Sequence, residues 1–116
     1  MINMTHKMHL LNEPYKSSLN GIKNVEIRLF DKKRRKIRVG DTITFINEFD
    51  EDKKFDVRVT KLNLFNDLND VMNNYPLKRL YKEDASYEEL IDIYNSIYTF
   101  EEQENNKVLA IEFVLI

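Results

Sequence analysis

Five segments of the sequence alternate apolar and polar residues, and this period of two most constrains the fold. The segments begin near Met8, Val25, Thr42, Phe55 and Val108, and such alternation is typical of strands with one buried face. The last segment, residues 108–116, is apolar on nearly both faces, which predicts a strand that is covered on each side. Together with short helices between them, the five segments predict an α+β fold built on a small mixed β-barrel.

Size and composition favour one domain and exclude several kinds of site. The chain has 116 residues, of which 42% are hydrophobic, and we expect a single domain over residues 1–116. It contains no cysteine and only two histidines, His6 and His9. A disulfide scaffold, a thiol nucleophile and a Cys-ligated metal site are therefore excluded, and we expect no metal and no cofactor. The first residues lack the apolar core of a signal peptide and no segment is apolar enough to span a membrane, so we expect a cytoplasmic protein.

Helical segments are marked by their termini. Pro14 and Gly21 bracket a short helix, with proline in its first turn and glycine just past its end. Ser86 and Thr99 each precede a glutamate by three residues, a pattern typical of a capping box. The helix that begins after Ser86 carries an apolar stripe, which we expect to face the barrel.

The net charge of −2 conceals a basic first third. Residues 1–40 contain ten Lys and Arg against three Asp and Glu. The centre of this region is the run from Lys32 to Lys36, followed by Arg38. The run fits two interpretations: a solvated hairpin tip, or a basic tip that contacts the phosphates of a nucleic acid.

The stretch from Gly21 to Arg28 is the most informative for function. A glycine that ends a helix leads into a strand, and alternation places Glu26 and Arg28 on the face opposite Val25 and Leu29. If the apolar face lines the barrel core, Glu26 and Arg28 look toward water or into a cleft beneath the helices. Spacing alone also permits a surface ion pair that contributes little to stability.

The order of these motifs resembles the ASCH domain family. The resemblance rests on Gly21-x-Lys23-x-x-Glu26-x-Arg28, the later Gly40-Asp41, and the closing apolar strand, and it covers almost the whole chain. It implies a PUA-like barrel of about five or six strands with short helices packed at its side, and a polar cleft between them. It also implies a domain that binds RNA, a nucleotide or a nucleoside. We expect no membrane partner, because no segment is apolar enough to span a bilayer.

Carried over to this sequence, the motif assigns candidate ligand-binding residues. They are Lys23, Glu26 and Arg28 in the cleft. The charge pattern, and not the motif, adds Lys33, Arg34 and Arg35 of the basic run as candidate phosphate contacts. Some family members cleave RNA or hydrolyse acetylated cytidine nucleosides, which makes a hydrolase the alternative function, with Lys23 and Glu26 as its catalytic residues. The amidohydrolases have a threonine nucleophile three residues after the lysine, where this chain has Glu26, so the same covalent mechanism is not expected.

Glu112 stands alone among apolar neighbours in the last strand. It is either the exposed position of an edge strand or the partner of a cation in the cleft, because a buried carboxylate requires such a partner.

Overall fold

The computed structural model describes residues 2–116, which form one sheet with helices against it. The elements in chain order are β1 (Thr5–Leu10), α1 (Asn12–Leu19), β2 (Val25–Leu29), a 3₁₀ turn (Arg34–Lys36), β3 (Thr42–Asn47), β4 (Asp50–Phe65), α2 (Leu68–Asn74), α3 (Leu77–Leu80), α4 (Tyr87–Ile97), α5 (Phe100–Asn105) and β5 (Val108–Leu115). No helix among these described residues is long and apolar enough to cross a membrane.

The five strands form one curled sheet in the order β1-β3-β4-β5-β2. β1 runs parallel to β3, and the other three pairs are antiparallel. The sheet curls into a half-barrel with short helices at its side, as the sequence predicts. Its two edge strands, β1 and β2, are not hydrogen-bonded neighbours.

β5 is covered on both faces over residues 108–113, which confirms the prediction for that part of the strand, whereas Val114 and Leu115 are 52% and 45% exposed. Leu109, Ile111 and Phe113 pack in the cluster on the concave face of the sheet, whereas Val108 and Ala110 join the cluster beneath α2, α3 and α4. Because β5 lies between β4 and β2, it is an interior strand. The interpretation of Glu112 as part of an edge strand is therefore wrong.

The two faces of β2 are the reverse of the arrangement considered from the sequence. Val25 and Leu29 pack against the helices rather than on the concave face. Glu26 pairs in register with Ile111, and Arg28 with Leu109. Residues in register share a face of the sheet, so the two charged side chains lie on the concave face.

The basic run is not the tip of a hairpin. β2 and β3, which flank it, are separated in the sheet by β4 and β5. The run forms a turn that continues into the 3₁₀ helix, where Asp31 Oδ1 accepts the backbone N–H of Arg34 at 3.0 Å. The guanidinium of Arg35 stacks on the ring of Phe30, 4.4 Å from its centroid.

The predicted helix termini are confirmed. Both capping boxes are present, with Ser86 and Thr99 as the N-caps of α4 and α5. Gly21 has φ +80° directly after Asn20, the C-cap of α1, a conformation that favours glycine. The apolar stripe of α4 is buried at Leu90 but 58% exposed at Ile97, so only part of it packs on the sheet.

Candidate nucleotide-binding site

A cavity lies where the two edge strands of the sheet approach each other. It has a volume of about 580 Å³ and is lined by β1, β2, the basic turn, the turn between β3 and β4, and α4. This volume is typical of small-ligand sites. The Nη2 atom of Arg28 on β2 donates to the carbonyl oxygen of His9 on β1 at 3.0 Å, so a side chain joins the two edges that the backbone leaves unpaired.

Lys23 lies at the buried end of this cavity and is 3% exposed. Its Nζ donates to the carbonyl oxygens of Val25 at 2.8 Å and Leu80 at 2.7 Å. It also contacts Oε1 of Glu26 at 2.9 Å. An ammonium group has three donors, so these three acceptors occupy all of them.

Glu26 joins the two cations of the motif. Oε1 contacts Lys23, and Oε2 accepts from Nε of Arg28 at 2.7 Å. A guanidinium has five N–H donors, and the contacts to Glu26 and His9 leave three of those of Arg28 for other partners. The triad of Lys23, Glu26 and Arg28 therefore holds two positive charges and one negative charge at the cavity.

Electrostatics keep Glu26 ionised. Burial by itself would raise the pKa of the Glu26 carboxyl, but Lys23 and Arg28 outweigh that effect and lower the pKa to about 2. Burial lowers the pKa of Lys23, and the attraction of Glu26 opposes that shift. The three acceptors around Nζ fit the charged form with its three protons.

The basic turn contributes part of its charge to the cavity. Lys33 and Arg34 line the cavity, whereas Arg35 does not. Nη1 of Arg34 contacts Asp31 at 3.3 Å. Within residues 2–116, the buried Nε of Arg34 has no hydrogen-bond partner, so one donor of this cavity residue is left for a ligand.

α4 supplies the apolar part of the lining, including Leu90, Ile93 and Tyr94. Tyr94 is 6% exposed, and its hydroxyl has no hydrogen-bond partner among the described residues. The sequence shows the stripe on this helix, but it does not distinguish a stripe that fills the core from one that lines a cavity. Lys7 and the 79% exposed Phe49 also line the cavity, and no sequence motif marks either of them.

Glu112 belongs to a separate polar cluster on the helix-facing side of the sheet. Its Oε2 accepts from the hydroxyl of Tyr75 at 2.8 Å and from Nδ2 of Asn63 at 3.3 Å. Its Oε1 contacts Nη2 of Arg79 at 3.5 Å. Glu112 therefore does have a cationic partner, but that partner is Arg79 and not a cation of the triad.

The two histidines have separate carboxylate partners. Nε2 of His6 lies 2.8 Å from Oδ2 of the buried Asp41, and Nε2 of His9 lies 3.1 Å from Oε1 of the exposed Glu51. Across residues 2–116, no three His, Asp or Glu side chains are grouped so that they could hold a metal ion.

Comparison with known proteins gives the family. No protein-family model matches the chain, and no curated protein matches it. The protein PF0455 from Pyrococcus furiosus, solved by NMR, is 30% identical, with 97% of this chain and 98% of that chain covered and a TM-score of 0.76. The hypothetical protein PH0355, solved by crystallography, is 28% identical, with 97% and 100% covered and a TM-score of 0.83. Both structures are of the ASCH type. The chain belongs to the ASCH domain family.

A more distant ASCH protein has the same fold. The crystal structure of the S128A mutant of ZmASCH from Zymomonas mobilis is 15% identical, with a TM-score of 0.67, and 95% of this chain and 67% of that chain are covered. In the ASCH domain described here, the three motif residues Lys23, Glu26 and Arg28 converge on one cavity. Lys33 and Arg34 join them, and Arg35 is the one sequence-predicted residue placed elsewhere.

Proposed function

We propose that this ASCH domain binds a nucleotide, either free or as part of single-stranded RNA, in the cavity between β1, β2 and α4. The observation that carries the proposal is the charge of the cavity lining. Five Lys and Arg side chains line it against two Glu side chains. An anionic group is therefore favoured there, and a phosphate is an anion that matches the forked donors of a guanidinium.

The unpaired donors support a phosphate near Arg28 and Arg34. The side chain of Arg28 is only 17% exposed and keeps three N–H groups without a partner in the described fold, and Arg34 keeps a buried Nε. For the buried Nε of Arg34, the lack of an acceptor is unfavourable by about 1–3 kcal/mol, and the unpaired donors of Arg28 are open to a ligand. A phosphate with several acceptor oxygens would satisfy them, while the apolar side chains of α4 would cover the base.

Binding is a better proposal than hydrolysis for this site. Glu26 carries a pKa of about 2, and a general base acts best with a pKa near the working pH. All three donors of Lys23 are held by the protein itself. Hydrolysis of acetylated cytidine or of RNA would require Lys23 and Glu26 to leave their present partners. We expect the wild type to turn over neither substrate faster than a Lys23→Ala control.

The proposal is tested with two double variants of the basic turn that remove the same charge. Lys33→Ala with Arg34→Ala removes two cavity residues, and Lys32→Ala with Lys36→Ala removes two exposed cations outside the cavity. Calorimetry with uridine monophosphate and anisotropy with a labelled oligouridylate measure affinity over a salt range of about 50–300 mM. Circular dichroism checks that each variant is folded.

We expect the cavity variant to lose at least about tenfold in affinity for the mononucleotide, or about 1.4 kcal/mol, while the control variant changes little. On RNA, each lost phosphate contact should flatten the salt dependence by about 0.7 in the logarithmic slope. Equal losses in both variants would contradict the cavity as the site, since only overall charge would then matter. No binding of any nucleotide by the wild type would overturn the proposal.

A further inference from the structure

Tyr94 is the one cavity residue that combines deep burial with an unused hydroxyl in the part of the chain that the structure describes. The side chain belongs to the apolar cluster beneath the helices, where Val71 and Leu90 are also buried. Its hydroxyl oxygen is buried and makes no hydrogen bond to any described residue. Burial raises the pKa of Tyr94 to well above its ordinary value, so the group is a neutral O–H donor.

A phenylalanine would be the better residue at this position for stability alone. The ring would pack in the same cluster, and the unfavourable burial of an unpaired hydroxyl would be absent. Tyr94 also stacks edge to face with Tyr98, with ring centroids 5.0 Å apart, and that contact does not need the hydroxyl. The hydroxyl therefore has no role within the described fold, and it lies on a residue that lines the cavity.

We infer that the hydroxyl of Tyr94 donates a hydrogen bond to a ring nitrogen or carbonyl oxygen of the bound base, and that Tyr94 is a specificity residue of the cavity. This inference rests on the proposed nucleotide-binding function. The charged part of the lining holds the phosphate, and the apolar part from α4 contacts the base. An unpaired buried donor in that apolar part selects a ligand with an acceptor over one without.

The fold contains a matched control for this hydroxyl. The hydroxyl of Tyr75 is also partly buried, but it contacts Asn63 and Glu112 and lies outside the cavity. Tyr75→Phe removes a hydroxyl whose hydrogen bonds are made within the fold, whereas Tyr94→Phe removes one whose partner would be the ligand. We therefore expect Tyr75→Phe to lower stability without changing affinity, and Tyr94→Phe to lower affinity without lowering stability.

The experiment measures melting temperature and ligand affinity of the wild type, Tyr94→Phe and Tyr75→Phe. The probes are the monophosphates of uridine, cytidine, adenosine and guanosine, with ribose 5-phosphate as the ligand that lacks a base. We expect Tyr94→Phe to keep or raise the melting temperature and to bind the preferred nucleotide about tenfold more weakly, with ribose 5-phosphate unaffected. Tyr75→Phe should melt several degrees lower and keep its affinity.

The outcomes separate this inference from the proposed function. If the wild type binds nucleotides and Tyr94→Phe binds them equally well, the inference is wrong and the nucleotide site stands. The same holds if Tyr94→Phe loses as much affinity for ribose 5-phosphate as for the nucleotides. If Tyr94→Phe melts lower than the wild type, the hydroxyl has a structural partner and the inference is also wrong. If the wild type binds no nucleotide, both proposals fail.

Discussion

Replacing Glu26 by glutamine is expected to lower the free energy of unfolding by about 3 kcal/mol at pH 7. Glutamine has nearly the same shape, so the change removes charge and leaves packing intact. The buried Lys23 and the partly buried Arg28 then remain as two cations without the carboxylate that they share in the wild type. Their repulsion and the loss of their counter-charge are the cause of the expected destabilisation.

The magnitude follows from the difference between the pKa of Glu26 in the folded and unfolded chain. The pKa is lowered from 4.5 to about 2 on folding. Since each pKa unit corresponds to about 1.4 kcal/mol, the ionised carboxylate stabilises the folded chain by about 3 kcal/mol. Breaking a buried ion pair by removing one partner has a typical effect of about 3–5 kcal/mol, which agrees in size.

The pH dependence has a definite sign. Because the folded pKa of Glu26 is lower than the unfolded one, its stabilisation is complete above about pH 5 and is lost as the pH falls toward 2. The glutamine side chain of the variant does not titrate in this range. The stability difference between wild type and variant should therefore shrink from about 3 kcal/mol at pH 7 to about 1 kcal/mol at pH 3.

Urea unfolding followed by circular dichroism at pH 7, 5, 4 and 3 measures this difference. Glu104→Gln is the control, because the side chain of Glu104 is exposed on α5, and it should change stability by less than about 0.5 kcal/mol. A difference for Glu26→Gln that stays constant with pH, or that is below about 1 kcal/mol at pH 7, would refute the ionised triad.

Three further substitutions test separate parts of the fold by thermal unfolding. Thr99→Ala removes the N-cap of α5, whose hydroxyl accepts a backbone N–H at 3.1 Å, and should cost about 1 kcal/mol, with Thr99→Ser close to wild type. Gly21→Ala should lower the free energy of unfolding by about 1 kcal/mol, because φ is +80° at this position. No atom lies within 4 Å of the added Cβ, so the effect would come from the backbone conformation alone. An unchanged stability would contradict the left-handed conformation. Asp41→Ala removes the acceptor of the backbone N–H groups of Met4 and Arg38. It should lower the free energy of unfolding by at least about 2 kcal/mol. An unchanged melting temperature would show that those contacts do not form.

The strands could be predicted because alternation is a local property, whereas the sheet order could not. β2 is buried on both faces at Val25 and Glu26, so the pattern of the strand does not say which face meets the helices. Consecutive strands are neighbours in most sheets, which favours a hairpin around the basic run. Here β2 pairs with β5 instead, a contact between distant parts of the chain.

The charged part of the site could be predicted, and the apolar part could not. Lys23, Glu26 and Arg28 lie close together in the sequence, so a short motif reports on them. Tyr94 reaches the same cavity from α4, far along the chain, and its spacing is the same as that of an ordinary core residue. What singles it out is a hydroxyl without a partner among the described residues, and that property exists only once the surrounding residues are in place.

The position of β5 in the sheet also governs when the fold can form. The last strand of the chain lies between β4 and β2 and supplies the register partners of both. During synthesis, β2 is made early but has no strand to pair with until residues 108–115 have left the ribosome. Glu26 and Arg28 would therefore stay in water until β5 pairs with β2, since Ile111 and Leu109, which share their face of the sheet, come from β5. Assembly of the cavity wall at β2 therefore depends on pairing between two strands that are far apart in the sequence, a type of contact that forms slowly.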